Sequence, residues 1–240
     1  MALPRLDAPT YEIMLPVSKK NIKFRPFLVK EQKILLMAME SGENDVIENN
    51  IRQVLQNCAI TEIDIDSMPI VDIEYYFLNL RARSVGEVVE TKYKCENTVD
   101  GKECGNTMDV EFNILDTQVH LPELTEELIA LNEHVGIKMK YPDFALVHRM
   151  KNASSITDVA FELVVDCIDY IYDDDNVYHA YETPKDELMA FLESLTKEQF
   201  AKLEDFIDNL PKLEKKIEVT CKKCGFTHHI DVQGLEDFFG

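Results

Sequence analysis

The chain has 240 residues, 45 acidic against 25 basic side chains, a formal net charge of −20 and 45% hydrophobic content. That apolar content supports a buried core and excludes wholesale disorder, and the acidic excess argues against wrapping a nucleic-acid duplex, whose affinity comes from Lys and Arg displacing phosphate counterions. No apolar run reaches the roughly 18 residues that span a bilayer, and the first twenty residues lack the basic start and apolar stretch of a secretory signal, so assembly and use in a cytoplasm are expected.

Tyr11 to Val17 and Ile22 to Phe27 flank the polar SKKN, which predicts a β-hairpin with a four-residue loop. From Leu28 the period changes. Leu28, Gln32, Leu35, Leu36 and Met39 recur at steps of three and four, a helix with an apolar face that stops near Ser41-Gly42. A second helix follows, capped by Asn44 or Asp45, with Val46, Ile47, Ile51, Val54, Leu55 and Cys58 on one face. A third is predicted over Met68 to Arg83, with Asp66 or Ser67 as cap and Pro69 in its first turn.

Glu87 to Cys95 alternates like a strand, and so does Met108 to Leu115, with Met108, Val110, Phe112 and Ile114 on one side. Val135 to Tyr141 reads as another strand. Pro142-Asp143 opens a short helix, and a long apolar helix is expected from Ile156 to Tyr172, ended by the acidic run 173–176. Thr183-Pro184 and Thr196 each begin a further helix, Thr196 with Gln199 as a capping box. Lys216 to Cys221 and Phe226 to Gln233 close the chain as a strand pair. The expected class is α+β, with an N-terminal hairpin, a helical body and late strands that return to early ones. The organisation reads as 1–86 hairpin and helices, 87–115 with 212–234 a cysteine-bearing module, 116–211 mainly helical, and 235–240 a tail.

Six cysteines are too few for a disulfide scaffold in a chain this long. Cys58 and Cys167 lie in apolar helical patterns and read as small buried hydrophobes. The other four fall in polar turns. Cys221-Lys-Lys-Cys224-Gly225 has the form of a zinc knuckle, the glycine taking the left-handed backbone that turns the chain away. Aligning KYKCENTVDGKECGNTMDV with IEVTCKKCGFTHHIDV sets Cys95 on Cys221, Cys104 on Cys224, Gly105 on Gly225, Thr107 on Thr227 and Val110 on Ile230, with six extra residues in the first turn. Each copy is strand, cysteine turn, glycine, strand. Two such hairpins make a zinc ribbon, so Cys95, Cys104, Cys221 and Cys224 are the expected ligands of one structural Zn2+ with no position left for water or substrate. Reduced cysteines without metal are the alternative, kept open by the long first turn. A redox pair is less favoured because no helix N-terminus follows Cys224 to stabilise a thiolate.

His228 and His229 are adjacent on a strand, point to opposite faces and are expected as surface or edge histidines. His120, His134, His148 and His179 carry no HExxH or nucleophile motif, and no phosphate-binding glycine motif occurs. Asp173, Asp174 and Asp175 read as a solvated turn rather than a calcium loop, which needs spaced oxygen ligands and a glycine. Lys212, Lys215, Lys216, Lys222 and Lys223 form a basic stretch that is expected to face a partner or solvent rather than nucleic acid. Leu235, Phe238 and Phe239 in the tail recur at helical spacing, as either a cover for the chain's own core or an anchor for a partner.

FRPFLVKEQKILLMAMES, NNIRQVLQNC, the cysteine hairpin after VVETKYKC and the closing TCKKCGFTHHIDVQGLEDFFG together resemble the T4-type bacteriophage baseplate protein family. The resemblance runs over most of the chain, and the long Cys95 to Cys104 turn is its departure from a compact knuckle. It implies a non-enzymatic part in the hub of a contractile-tailed phage baseplate, with other baseplate or tail subunits as partners and no small-molecule substrate. The protein would be a component of the finished particle or, alternatively, an assembly chaperone absent from it. A zinc-ribbon nucleic-acid or transcription factor is the alternative from a different class.

Overall fold

The computed structural model describes residues 6–122, 127–144, 146 and 156–233. The short helix expected after Pro142 falls largely outside them, and so does the tail. Helices and small antiparallel sheets are interspersed along the chain, an α+β protein as expected. The chain divides into two compact units. The first comprises Met1–Ile65, Val71–His120 and Lys212–Gly240, the second Asp66–Ile70 and Leu121–Pro211.

In the first unit, β1 (Tyr11–Met14) and β2 (Asn21–Phe24) form the N-terminal hairpin, Tyr11 opposite Phe24 and Ile13 opposite Ile22. Three helices follow: α1 (Val29–Ser41), α2 (Asn44–Cys58) and α3 (Ile70–Ser84). Gly42 ends α1 in the left-handed conformation at φ +66°, the geometry that glycine reaches without a Cβ penalty. Asp72 on α3 is fully buried and accepts the Val17 and Ser18 amides at 2.8 and 2.9 Å, pinning the hairpin loop to the helix. The Tyr76 hydroxyl donates to the Leu55 carbonyl at 3.1 Å, and the Tyr76 ring meets Phe24 edge-on.

Two local expectations are corrected here. The cap of α2 is Glu43, in extended conformation and without a side-chain cap bond, while Asn44 is already helical. Of the face read for α1, only Leu35 is buried: Leu28, Gln32, Leu36 and Met39 are exposed, and Glu31 and Ala38 point inward with Leu35. An ion pair decides the rotation. The Arg25 guanidinium bonds Glu31 at 3.0 Å and the Asn57 carbonyl at 3.0 Å, and the Glu31 carboxylate also accepts the Leu28 amide at 2.8 Å. Those partners exist only on the inner side, and a carboxylate left unpaired there would be costly.

The rest of the first unit is β. Strand β3 (Val88–Lys94) pairs with β6 (Thr107–Asn113), and β12 (Lys212–Thr220) lies between β13 (Thr227–Gln233) and β7 (Gln118–His120). Met108, Val110 and Phe112 face inward on β6, as their alternation predicts. Val89, Val110, Phe112, Ile114 and Val232 form a core with Leu78 and Ala82 of α3, and Ile217, Val219 and Ile230 pack against it. This shared core holds the two hairpins together although more than 100 residues separate them in sequence.

The second unit contains a four-stranded antiparallel sheet of β8 (Leu128–Ala130), β9 (Gly136–Met139), β10 (Ile168–Tyr172) and β11 (Val177–His179), in spatial order β11-β10-β9-β8. Helices α4 (Ile156–Asp166), α5 (Lys185–Glu193) and α6 (Lys197–Asp208) accompany it, and Val164, Leu188, Leu192, Leu203 and Phe206 share a core with Ile137, Met139, Ile168 and Ile171. The single helix expected from Ile156 to Tyr172 is therefore wrong in its second half. It stops at Asp166, and Cys167 is buried at the junction rather than inside a helix. Ile168, Tyr170, Ile171 and Tyr172 are β-branched or aromatic residues that suit a pleated surface, and β9 and β11 pair with them on both sides. The acidic run is the β10–β11 turn, where Asp173 accepts the Asp175 and Asn176 amides at 2.9 and 2.8 Å. Thr196 and Gln199 make the expected reciprocal capping box at the start of α6.

Candidate metal centre

The two cysteine hairpins repeat one another in strand register and in the backbone bonds from Cys95 and Gly105, matched by Cys221 and Gly225. Lys94 pairs with Thr107, Tyr93 with Met108 and Thr91 with Val110 in the first hairpin; Thr220 pairs with Thr227, Val219 with His228 and Ile217 with Ile230 in the second. The Cys95 amide donates to the Asn106 carbonyl and the Gly105 amide returns to the Cys95 carbonyl, as Cys221 does with Phe226 and Gly225 with Cys221. Gly105 and Gly225 have φ of +62° and +75°, so each turn needs the left-handed residue that glycine supplies.

The six extra residues of the first turn are a hairpin of their own. Thr98 and Val99 (β4) pair with Lys102 and Glu103 (β5) around Asp100-Gly101, both at positive φ as a two-residue type I′ turn requires. The Cys104 amide donates to the Asn97 carbonyl at 2.8 Å and closes the base of this hairpin. Removing residues 98–103 on paper leaves Cys95-Glu96-Asn97-Cys104, the spacing of the second knuckle. The long turn does not separate the two cysteines.

All four Sγ atoms lie within 4.8 Å of one another. Cys95 and Cys224 are 3.6 Å apart, and Cys104 and Cys221 3.9 Å. A disulfide requires about 2.05 Å, whereas four sulfurs around a tetrahedral ion with bonds of about 2.3 Å lie about 3.8 Å from each other. The donor set fits a thiolate-binding metal in a closed site. Cys95, Cys104 and Cys221 are buried, with Met108, Tyr93 and Val219 packed around them.

Hydrogen-bond donors surround the sulfurs unevenly. The Cys224 amide draws the Cys221 thiol down to about 6 against the effect of burial, with the Lys223 amide assisting. The Phe226 amide lowers Cys224 in the same way. Burial pushes Cys95 up to about 12, with the Asn97 amide opposing it. Side-chain amides add to the shell: Asn106 points Nδ2 at Cys221 Sγ at 3.5 Å, and Asn97 points its own at Cys224 Sγ at 3.7 Å. Lys223 ties one knuckle to the other by donating Nζ to the Cys104 carbonyl at 2.8 Å.

His228 corrects a sequence expectation. It lies on an edge strand, as one of the two readings expects, yet is only 8% exposed, its ring contacts Tyr93 and Phe226, and its Nε2 is 3.1 Å from Cys95 Sγ. Strand parity was the available signal, since His228 shares its side of β13 with Ile230 and Val232. His229, on the other side, is exposed beside Glu218. Asn97 and Asn106 carried no comparable signal. Cys58 and Cys167 are buried thiols, pushed by burial up to about 11 and about 12 respectively. Part of the basic stretch is paired within the protein: Lys212 and Lys216 share Glu214, Lys215 pairs with Asp116, and Lys223 donates to the Cys104 carbonyl.

Among the described residues no helix is long and apolar enough to cross a membrane. Compared with known proteins, the chain is 25% identical over 230 residues to the baseplate hub assembly protein gp26 of Enterobacteria phage T4, covering 95% of this chain and 97% of that one. No solved structure matches it significantly. The model of the T4 bacteriophage base plate protein family matches residues 8–240, a span that includes both cysteine hairpins and both compact units, and the chain belongs to that family.

Proposed function

We propose that this protein is a non-enzymatic structural or assembly protein of the baseplate hub of a contractile-tailed bacteriophage, stabilised by one structural Zn2+ on Cys95, Cys104, Cys221 and Cys224. The hub role is supported by a family match and a relative that both run essentially end to end. The metal is supported by four thiols brought within 4.8 Å from two segments far apart in sequence. On this reading residues 87–115 and 212–234 form a zinc-ribbon-like module, and the ion, filled by four protein ligands, supplies stability rather than chemistry. Assembly takes place in the host cytoplasm, with other baseplate or tail subunits as partners.

Chain purified anaerobically without added metal should contain close to one equivalent of zinc by elemental analysis, and tagged protein from infected cells should bring down hub subunits. Stoichiometric zinc without hub capture would defeat the hub role alone, and the reverse would defeat the metal alone. The relative is an assembly protein, which favours one variant: a factor that leaves before the particle is finished. Mass spectrometry of purified virions separates the two, because a resident subunit persists there at fixed stoichiometry. A nucleic-acid role is disfavoured by the net charge of −20 and by the pairing of Lys212, Lys215 and Lys216 with Glu214 and Asp116. A duplex affinity that falls steeply with salt would reinstate it.

A further inference from the structure

The repeat has one break in its symmetry. Cys221 receives the amides of both Lys223 and Cys224. Cys95 receives the Asn97 amide, the equivalent of Lys223, but the Cys104 amide, the equivalent of Cys224, is turned away to the Asn97 carbonyl to close the inserted hairpin. The first sulfur of the first knuckle is therefore one donor short of its counterpart. At that sulfur the side-chain nitrogen from the opposite hairpin is the His228 ring, at 3.1 Å, where Cys221 takes the longer contact of the Asn106 amide, at 3.5 Å. His228 occupies the register position that Met108 holds in the first hairpin, and both are buried.

We propose that His228 is a positioning residue for the metal site, donating Nε2–H to the Cys95 thiolate in place of the backbone amide that the 98–103 insertion withdraws. This rests on the metal reading above. A thiolate only accepts, so the shared proton sits on the imidazole, and Tyr93 and Phe226 hold the ring plane against the sulfur. Outer donors of this kind orient a ligand and tune its charge, and their loss typically lowers metal affinity about 10- to 100-fold.

The repeat also supplies the test variant. Methionine already fills the equivalent position, so His228→Met keeps buried volume and loses the donor; His228→Gln places an N–H near the position of Nε2. Zn2+ affinity is measured by competition with a chromophoric chelator, and the sulfur-to-metal charge-transfer band is recorded after Co2+ substitution. The expected result is a 10- to 100-fold loss and a band shifted to longer wavelength for His228→Met, with both largely restored in His228→Gln. A merely structural role would leave the band in place. Deleting residues 98–103 frees the Cys104 amide for Cys95, so His228→Met should cost much less in that background. If the deletion does not fold, the Met and Gln variants of the full chain decide the matter. Wild-type chain that holds metal while His228→Met matches it within twofold and keeps its band overturns this inference alone. Equal losses with and without the insertion overturn the compensation. Wild-type chain that takes up neither Zn2+ nor Co2+ overturns the metal reading, and this one with it.

Discussion

Replacing Cys221 with serine should cost the first unit most of the stability that a cross-link between its two hairpins provides. Cys221 is fully buried, and its sulfur lies 3.9 Å from Cys104 Sγ, 117 residues away in sequence. Treated as a chain-entropy constraint of the kind a disulfide imposes, a loop of that length is worth about 5 kcal/mol. The second pair, Cys95 with Cys224, spans nearly the same loop and adds little to that figure. Against a typical net stability of roughly 5 to 15 kcal/mol, 5 kcal/mol is a large share. At 2 to 4 °C per kcal/mol for a chain of this size, the melting temperature should fall by about 10 to 20 °C. Chelation of the wild-type chain should produce the same fall, and chelation of Cys221→Ser almost none. Calorimetry with and without chelator measures this, and hydrogen exchange localises it. Amides of β9 and β10, whose core contains no ligand cysteine, should keep their protection while those of β3, β6, β12 and β13 lose theirs. Metal-free and metal-loaded protein that melt within about 2 °C of each other would refute the cross-link argument.

Arg25→Met leaves the buried Glu31 carboxylate only the Leu28 amide and the exposed Lys30 and should destabilise by about 3 kcal/mol in chemical denaturation, the lower end for a broken buried pair because Arg25 is partly exposed and Lys30 remains; a loss under 1 kcal/mol would show that Glu31 relaxes to water. Burial raises the Glu31 pKa, yet the bonds from Arg25, the Leu28 amide and Lys30 prevail and hold it below the usual range. Its contribution is therefore present above about pH 4.5 and disappears as pH falls through the lowered folded value, so Glu31→Gln should flatten stability against pH on the acid side of 4.5. Asp72→Ala leaves the Val17 and Ser18 amides without their acceptor and should cost about 2 kcal/mol, with lost exchange protection at those two amides as the direct readout. A Cβ on Gly136 would overlap the Tyr172 hydroxyl and ring; Gly136→Ala should cost about 1 to 3 kcal/mol and nothing further in a Tyr172→Ala background, and an equal cost in both would place the strain elsewhere.

Much of the four-cysteine cluster was legible in the chain itself because its determinants are local. A glycine one residue past the second cysteine, strands that alternate on either side, and flanking residues that align in two copies around the inserted turn specify the same hairpin twice, and the register of both is the one the alignment implies. The capping box at Thr196 was legible for the same reason, since its bonds span three residues. Tertiary structure decided where two local outcomes were equally available. The apolar run after Asp166 serves a helix or a strand, and only the pairing with β9 and β11 selects the strand. Helix α1 offers an apolar stripe through Leu28, Leu36 and Met39, yet Arg25, anchored on the Asn57 carbonyl, turns Glu31 inward instead. His228 and His229 look alike in sequence. One is buried because the core shared by the two hairpins lies on its side of β13, which parity with Ile230 and Val232 marks, whereas its approach to Cys95 Sγ is made across more than 100 residues and leaves no trace in the few residues around it.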